Sequence, residues 1–301
     1  MHWEEKKEVN IMSIKNRANA VWCIANTPVC AGSGEGDFRA DCNIQRNDDF
    51  PKIDAGTFKG SLLYKMDGKL KKIIQNKSPE QAKLSFSDLR LLFFSVQSSH
   101  GIYRLLTSVN CLEQFFLEIS WNEYECDDVS QELKGLKRRV VDGVICQWSH
   151  HDDTEWIGGY KLQAVNYKDN VIKDLLRKLG LSQTVIKHIG IVSDKDFRYF
   201  TRYHTEIITR NRLENQALFT EEYLPEGSIL YGFICEFKDL VRPVKAPVLP
   251  QISRWIETNE KEGKVYQIGR NLNTGKGSVT ISEMKREEVK NGKPLCRSKS
   301  S

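Results

Sequence analysis

The strongest constraint on the fold of this chain is a pair of glycine-containing turns. They lie on either side of an isolated acid. The first turn is residues 32–36, GSGEG, and the second, after Pro51, is Gly56-Thr57, which leads into an apolar run. Glycine has no Cβ, so such turns let the backbone approach a ligand closely. A turn that ends at a helix start can offer backbone N–H groups to a phosphate, and Lys59 adds a charge there. With Asp41 between the turns, this stretch suggests a nucleic-acid site.

Composition places the chain among ordinary globular proteins. Its 301 residues are 40% hydrophobic and 28% charged, with a net charge of +5. This size fits one large domain or two intimately joined ones, and the mild basicity is compatible with an RNA partner. The eight cysteines are scattered without a CxxC pair, which predicts reduced thiols. No apolar run approaches the roughly 18 residues that span a bilayer, so we expect a cytoplasmic protein without a membrane partner.

Three stretches of the N-terminal half carry specific expectations. Residues 61–64 are expected to begin a helix, and residues 65–81 read as a basic, turn-broken surface segment. Residues 122–160 are polar and irregular in pattern, and we expect an insertion that covers one side of the core.

The remaining pattern mixes strands with helices. Strands are expected from Ala18 and within residues 82–109, 217–237 and 265–284, the last with a glycine loop. Helices are expected over residues 111–121 and 170–179, after the N-cap Ser193 and around Trp255, whereas residues 201–214 should begin helical or extended and end in a basic turn. Because no long βα alternation is present, the pattern predicts an α+β fold.

Four blocks in order resemble a known family. They read SGEG…RADCNIQR…FPKIDAGTFKG, KLSFSDLRLLFFSV…GIYRLLTS, ALFTEEYLPEGSILYG and IGRNLNTGKGSV. Together they resemble the RAMP superfamily and, within it, the repeated backbone subunit of type III-B CRISPR (Cmr) effector complexes. The resemblance covers roughly residues 18–282.

The resemblance implies a fold and a domain plan. It implies a ferredoxin-like (RRM-like) RAMP core with insertions and a thumb β-hairpin that reaches over RNA. The expected plan is a polar extension at 1–17, a RAMP domain at 18–284 and a polar tail at 285–301. Within the RAMP domain, residues 122–160 form the insertion and residues 204–219 the thumb region.

The resemblance also implies an activity and its residues. It implies that copies stack head to tail along a guide RNA, beside other type III effector subunits, and cut target single-stranded RNA with a divalent metal (Mg²⁺ or Mn²⁺). The motif places the catalytic, metal-holding aspartate at Asp41. The RNA-binding set that we expect is Gln45, Arg46, Thr57, Lys59, Arg210, Arg212, Gly275, Lys276 and Gly277.

Other functions are open or disfavoured. A catalytically silent RNA-binding backbone, a RAMP endonuclease that matures guide RNA and a generic basic RNA-binding protein remain alternatives. Neither glycine loop has the GxxxxGK[ST] spacing, so nucleotide binding is disfavoured. Cys146 with residues 150–153 lacks a second Cys/His pair at a zinc spacing, so a polar loop is the better interpretation.

Overall fold

The computed structural model describes residues 17–66, 68–75, 83–122, 124, 129–148, 153–212, 217–237 and 248–286. For residues 17, 69, 83, 212 and 237 it describes the backbone only. The predicted N-terminal extension apart from Arg17, and the predicted tail apart from residues 285 and 286, lie outside the described residues.

In this part of the chain the helices are α1 Ala55–Lys65, α2 Gly68–Ile74, α3 Val109–Trp121, α4 Ser130–Arg139, α5 Val171–Lys178, α6 Gln183–Ile186, α7 Asp194–Tyr203 and α8 Leu249–Lys261, with a 3₁₀ turn at Leu272–Thr274. The strands are β1 Arg17–Ala25, β2 Arg46–Asn47, β3 Phe50–Ile53, β4 Lys83–Phe86, β5 Leu89–Gln97, β6 Tyr103–Ser108, β7 Val144–Gln147, β8 Thr154–Ile157, β9 Tyr160–Asn166, β10 Ile189–Val192, β11 Glu206–Arg212, β12 Ala217–Tyr223, β13 Ile229–Phe237, β14 Tyr266–Gln267 and β15 Ser278–Glu283. This confirms the α+β prediction.

The chain forms two compact units. Of the described residues, unit 1 comprises those in the ranges 17–91 and 205–283, and unit 2 comprises those in the ranges 92–204 and 284–286. The boundary falls inside β5.

Unit 1 is built on an antiparallel sheet. Strand β1 lies between β13 and β15, and β14 pairs with the outer edge of β15. Helix α8 packs against β15, β1 and β13. Val21, Trp22 and Cys23 are all buried, so both faces of β1 are covered here. A separate hairpin of β11 and β12 also belongs to this unit, with Thr209 opposite Thr220.

Unit 2 contains a mixed sheet. Strand β6 pairs antiparallel with β5 and parallel with β10, whose other edge is antiparallel to β7. Strand β9 follows, parallel to β7 and antiparallel to β8. Helices α3 and α7 pack against β6. Ser193 caps α7 as predicted, since its side chain accepts a hydrogen bond from the Asp196 N–H.

Two expectations in the N-terminal half were wrong. Helix α1 begins at Ala55 rather than within residues 61–64, because the side chain of Asp54 accepts the Thr57 N–H and caps the helix. The Gly56-Thr57 turn is therefore the first helical turn. Residues 65–81 were expected to be turn-broken, but helix α2 lies within them.

Residues 122–160 are more regular than the polar pattern indicated. They include α4, β7 and β8, and all four residues of β7 are buried. A short strand buried on both faces shows no period-2 alternation, and this is why the pattern was misread. Residues 201–214 begin helical as expected, because α7 ends at Tyr203, and they continue as the strand β11. The expected basic turn at their end falls on residues 213 and 214, which lie outside the described residues.

Among the described helices, none combines the length and the apolar content that a membrane span requires.

Candidate functional site

The first glycine bend belongs to a closed loop of residues 32–44. A bridge joins Gly32 to Ile44, and the Ser33 N–H donates to the Asn43 carbonyl at 2.8 Å. The Asn43 N–H donates in turn to the Glu35 carbonyl at 3.0 Å. These bonds hold the two arms of the loop together and place Asp41 at the end of one arm.

Inside this loop, Gly36 and Asp37 set the path of the chain. A Cβ on Gly36 would lie 2.5 Å from the Asp41 carbonyl oxygen, which is closer than real contacts allow. The Asp37 carboxylate accepts the Arg39 N–H at 2.8 Å and the Ala40 N–H at 3.4 Å. Burial alone would raise the pKa of Asp37, but these hydrogen bonds and the Arg39 charge lower it. The backbone before Asp41 is therefore well defined.

Asp41 is bound to the β11–β12 hairpin. Its Oδ2 accepts the Thr220 N–H at 2.7 Å and the Thr220 hydroxyl at 2.9 Å. Its own N–H donates to Thr220 Oγ1 at 3.0 Å. The next residue continues the pairing, since the Cys42 N–H donates to the Thr220 carbonyl and the Cys42 carbonyl accepts the Glu222 N–H. An exposed aspartate is thereby held against β12.

Glu222 also joins this loop to the hairpin, through contacts of its buried side chain. Its side chain is fully buried, and Oε1 accepts from Arg39 at 3.0 Å and from Arg46 at 2.5 Å. The other oxygen accepts the Ile44 N–H at 3.1 Å, and the Thr205 hydroxyl donates to Oε1. A buried carboxylate needs such partners, because leaving water without them is costly. We call this arrangement the Glu222 clamp, formed by Glu222, Arg39 and Arg46.

Glu221 points to the opposite side of β12, as expected from strand alternation. It pairs with Arg210 at 2.8 Å and accepts from the Asn271 amide and the Tyr223 hydroxyl, each at 2.7 Å. Burial, and then the hydrogen bond to Glu221, raises the pKa of Tyr223 to about 12. Arg210 is thus fixed to the hairpin.

The C-terminal glycine loop packs beside this second cluster. The N–H groups of Gly275, Lys276 and Gly277 donate to carbonyls of Leu272, Asn271 and Pro28, respectively. Gly277 has a φ of +74°, and a Cβ there would lie 2.2 Å from the Ile268 carbonyl oxygen. The three N–H groups are therefore used within the protein. Any phosphate contact from this loop falls to Lys276, whose Nζ lies 5.7 Å from the Tyr223 ring centroid.

The start of α1 is also occupied by protein groups. The Thr57 N–H and hydroxyl both donate to Asp54, and the Ala55 N–H donates to Asp88 at 2.9 Å. Gln45 exchanges hydrogen bonds with Asp54 through its side-chain amide. Burial alone would raise the pKa of Asp54, but hydrogen bonds from Thr57 and Gln45 lower it. We therefore correct the idea that this turn offers its N–H groups to phosphate.

The structure connects most of the predicted residues around the hairpin. Asp41, Arg46 and Arg210 contact β12 directly, and Lys276 lies against its Tyr223. Gln45 and Thr57 meet instead at Asp54. Lys59 lies in the second turn of α1, with Nζ 5.9 Å from the Phe86 ring centroid. The side chain of Arg212 and the hairpin tip at 213–216 are outside the described residues.

Sequence reasoning missed the residues that organise this site, namely Thr220, Glu221, Glu222 and Arg39. One signal was present. Two consecutive acids stand in a strand, TEEYL, whose following residues are apolar. Buried acids must be paired, so this doublet indicated cationic partners elsewhere in the chain.

The site around Asp41 offers few protein ligands for a metal ion. Within the described ranges no three His, Cys, Asp or Glu side chains are grouped to hold one. Mg²⁺ often takes one or two carboxylates, with waters and substrate phosphates completing the shell. Asp41 therefore fits a metal only as a partial site that RNA phosphates would complete.

Comparison with known proteins finds sequence similarity to a CRISPR endoribonuclease. No family model matches the chain. The CRISPR system Cmr endoribonuclease Cmr4 of Pyrococcus furiosus is 28% identical in an alignment 292 positions long, which includes 85% of this chain and 92% of that protein.

Solved structures agree with this relationship at the level of the fold. The crystal structure of oligomeric Cmr4 from Pyrococcus furiosus matches with a TM-score of 0.67 at 20% identity, covering 91% of this chain and all of that one. A chain of the cryo-EM structure of the type III-B Cmr-beta bound to cognate target RNA matches with a TM-score of 0.68 at 15% identity, over 90% of this chain and 98% of that one. The resemblance stated from the sequence is confirmed: the chain is similar in sequence to Cmr4 of Pyrococcus furiosus, and it has the fold of the solved Cmr4 and type III-B Cmr chains.

Proposed function

We propose that this chain is a guide-RNA-binding backbone subunit of a cytoplasmic type III-B CRISPR ribonucleoprotein. In that complex it cuts complementary target RNA at regular intervals with the help of a divalent metal. The observation that carries the proposal is the exposed Asp41 held on a defined loop against the hairpin. The Pyrococcus furiosus relative is named an endoribonuclease, which supports the same activity for this chain.

RNA binding is assigned to cations around the hairpin. We assign phosphate contacts to Lys59 and Lys276, with Arg212 near the hairpin tip. Arg210 already pairs with the buried Glu221, so its first role is to hold the hairpin. Arg46 is already part of the Glu222 clamp, so its first role is to hold the Asp41 loop. Phosphate contacts carry no sequence information, which suits a protein whose guide selects the target.

The protein does not need to supply a nucleophile, because RNA carries its own. The 2′-hydroxyl attacks the adjacent phosphorus, a 2′-O–P bond forms and the P–O5′ bond breaks. The products are a 2′,3′-cyclic phosphate and a 5′-hydroxyl, whose oxygen takes a proton from water. Splaying a nucleotide out of the helix frees the backbone for in-line geometry.

Asp41 is the group placed to assist this reaction. Its carboxylate can take the proton from the 2′-hydroxyl or help to bind a divalent metal together with RNA phosphates. When bound, Mg²⁺ or Mn²⁺ would supply positive charge to the reacting phosphate. The partners that we propose are the guide RNA, the target RNA, other type III effector subunits and further copies of this chain stacked head to tail. The oligomeric relative supports this self-association.

The test uses the chain assembled with a guide RNA and its partner subunits. An end-labelled complementary target is added with Mg²⁺ or Mn²⁺, and in parallel with excess EDTA. Evenly spaced cuts that require the metal are expected. Tight binding without cuts would instead indicate a silent backbone, and processing of a guide precursor by the isolated chain would indicate a maturation enzyme.

Gly36→Ala is expected to disable cutting without loss of RNA binding. The added Cβ meets the Asp41 carbonyl oxygen at 2.5 Å, and a backbone atom cannot move aside cheaply. A shift of about 1 Å at a catalytic group can cost about 10²-fold in rate. Single-turnover cleavage rates with saturating complex measure this loss.

Gly34→Ala is the matched control in the same loop. Its φ of +89° makes alanine unfavourable, but nothing lies within 4 Å of the added Cβ. The control should keep most of its cleavage rate. Equal losses in both variants would show that general loop strain, rather than displacement of Asp41, is responsible.

A further inference from the structure

The Thr220 hydroxyl makes a reciprocal pair of hydrogen bonds with Asp41. It donates to Asp41 Oδ2 at 2.9 Å and accepts the Asp41 N–H at 3.0 Å. The Thr220 N–H adds a second donor to the same oxygen at 2.7 Å. Two donors on one carboxylate oxygen fix the direction of the side chain, and bonds to an ionised acceptor are stronger than neutral ones.

The backbone of Thr220 is held independently of its side chain. Across the hairpin it is paired with Thr209, and on the other edge its carbonyl accepts the Cys42 N–H at 3.1 Å. The Glu222 N–H donates to the Cys42 carbonyl at 2.8 Å. Removal of the hydroxyl alone should therefore leave both β12 and the Cys42 backbone in place.

An exposed aspartate normally samples several rotamers, whereas a reacting group must stay within about 0.5 Å of its productive position. Resting on the function proposed above, we infer that Thr220 is a positioning residue for Asp41 in RNA cleavage. It holds the carboxylate in one orientation and ties the catalytic loop to the hairpin. The threonine acts through Asp41 and need not touch the RNA.

The inference depends on the hydroxyl rather than on side-chain shape. Valine has the shape of threonine but neither donates nor accepts, so it removes both side-chain hydrogen bonds. Serine keeps the hydroxyl and loses only a methyl group. Thr209→Val, on the paired strand, makes the same chemical change in the hairpin without removing a hydrogen bond to Asp41.

The experiment measures target cleavage and RNA affinity for the assembled wild-type complex and for the Thr220→Val, Thr220→Ser and Thr209→Val variants. Thr220→Val should lower the maximal cleavage rate about 10- to 100-fold, the effect of one hydrogen bond to a charged group. Its affinity for target RNA should not change. The cleavage rates of Thr220→Ser and Thr209→Val should stay within about threefold of the wild-type rate. That change is much smaller than the rate loss expected when the hydrogen bond is removed.

Amide hydrogen exchange supplies a readout that is independent of cleavage. Because the Asp41 N–H donates to Thr220 Oγ1, peptides covering residues 38–46 should exchange faster in Thr220→Val than in wild type. Thr220→Ser should retain the wild-type protection.

Failure of the inference is distinguishable from failure of the proposed function. If wild type cuts and Thr220→Val cuts equally fast, the positioning role is wrong while the function stands. Equal loss in the valine and serine variants would also overturn it, since the hydroxyl would then not be the determinant. A wild-type complex that never cuts its target contradicts the proposed function and this inference with it.

Discussion

Glu222→Ala is expected to lower the free energy of unfolding of unit 1 by about 3 kcal/mol, the lower end of the range for removing one partner of a buried ion pair. The Glu222 carboxylate is fully buried and binds Arg39 and Arg46, whose side chains are only 12% and 17% exposed. Removing the acid takes a buried anion away from two nearly buried guanidinium groups, and Arg39 keeps only a longer ion pair, to Asp37 at 3.6 Å, among the contacts described here. For a unit of this size, the melting temperature should fall by about 6–12 °C.

A second expected consequence is functional. The clamp joins the loop that carries Asp41 to β12, so its loss should also reduce RNA cleavage. Glu222→Gln should be intermediate, because the amide oxygen can still accept the Ile44 N–H that Glu222 binds now.

Glu257→Ala is the matched control for these measurements. Glu257 lies on α8 and pairs with Lys261 at the surface, where ion pairs contribute little. In thermal unfolding followed by circular dichroism, the control should have the same melting temperature as wild type. A Glu222→Ala protein that melts within 1–2 °C of wild type, about the effect of 0.5 kcal/mol, would show that the clamp does not stabilise the unit.

Local patterns predicted much of the fold. The alternation after Ala18, the amphipathic run at 170–179 and the strand–loop–strand at 265–284 each correspond to observed elements. These signals are local because side-chain periodicity and capping are properties of neighbouring residues. The start of α1 was missed because the polar residue that caps it, Asp54, precedes two residues that read equally well as a turn.

The site was predictable only in part. Asp41 and the glycine turns were found because they are contiguous in sequence. Thr220, the hydrogen-bond partner of Asp41, is 179 residues away along the chain, and no sequence periodicity links two such positions. The sequence also could not show that the glycine-loop N–H groups are used internally, since that depends on carbonyls such as that of Pro28.

Asp41→Ala is expected to reduce target cleavage by about 10²- to 10⁴-fold, the usual contribution of a proton-transferring side chain. The residue is exposed, and its Oδ2 accepts two hydrogen bonds from Thr220 on the hairpin. The fold and the cationic residues assigned to RNA are therefore expected to survive the change. Affinity for the guide and the target should stay at the wild-type level. Glu35→Ala, which removes another exposed acid from the same loop, should cut normally.

The most direct test of the account compares wild type with Asp41→Ala in the assembled complex. Both receive the same guide, an end-labelled complementary target and Mg²⁺ or Mn²⁺, and the products are separated at nucleotide resolution. The account predicts a ladder of evenly spaced cuts for wild type and intact, bound target for the variant. A variant that produces the same ladder at the same rate would contradict the assignment of Asp41 as the catalytic residue.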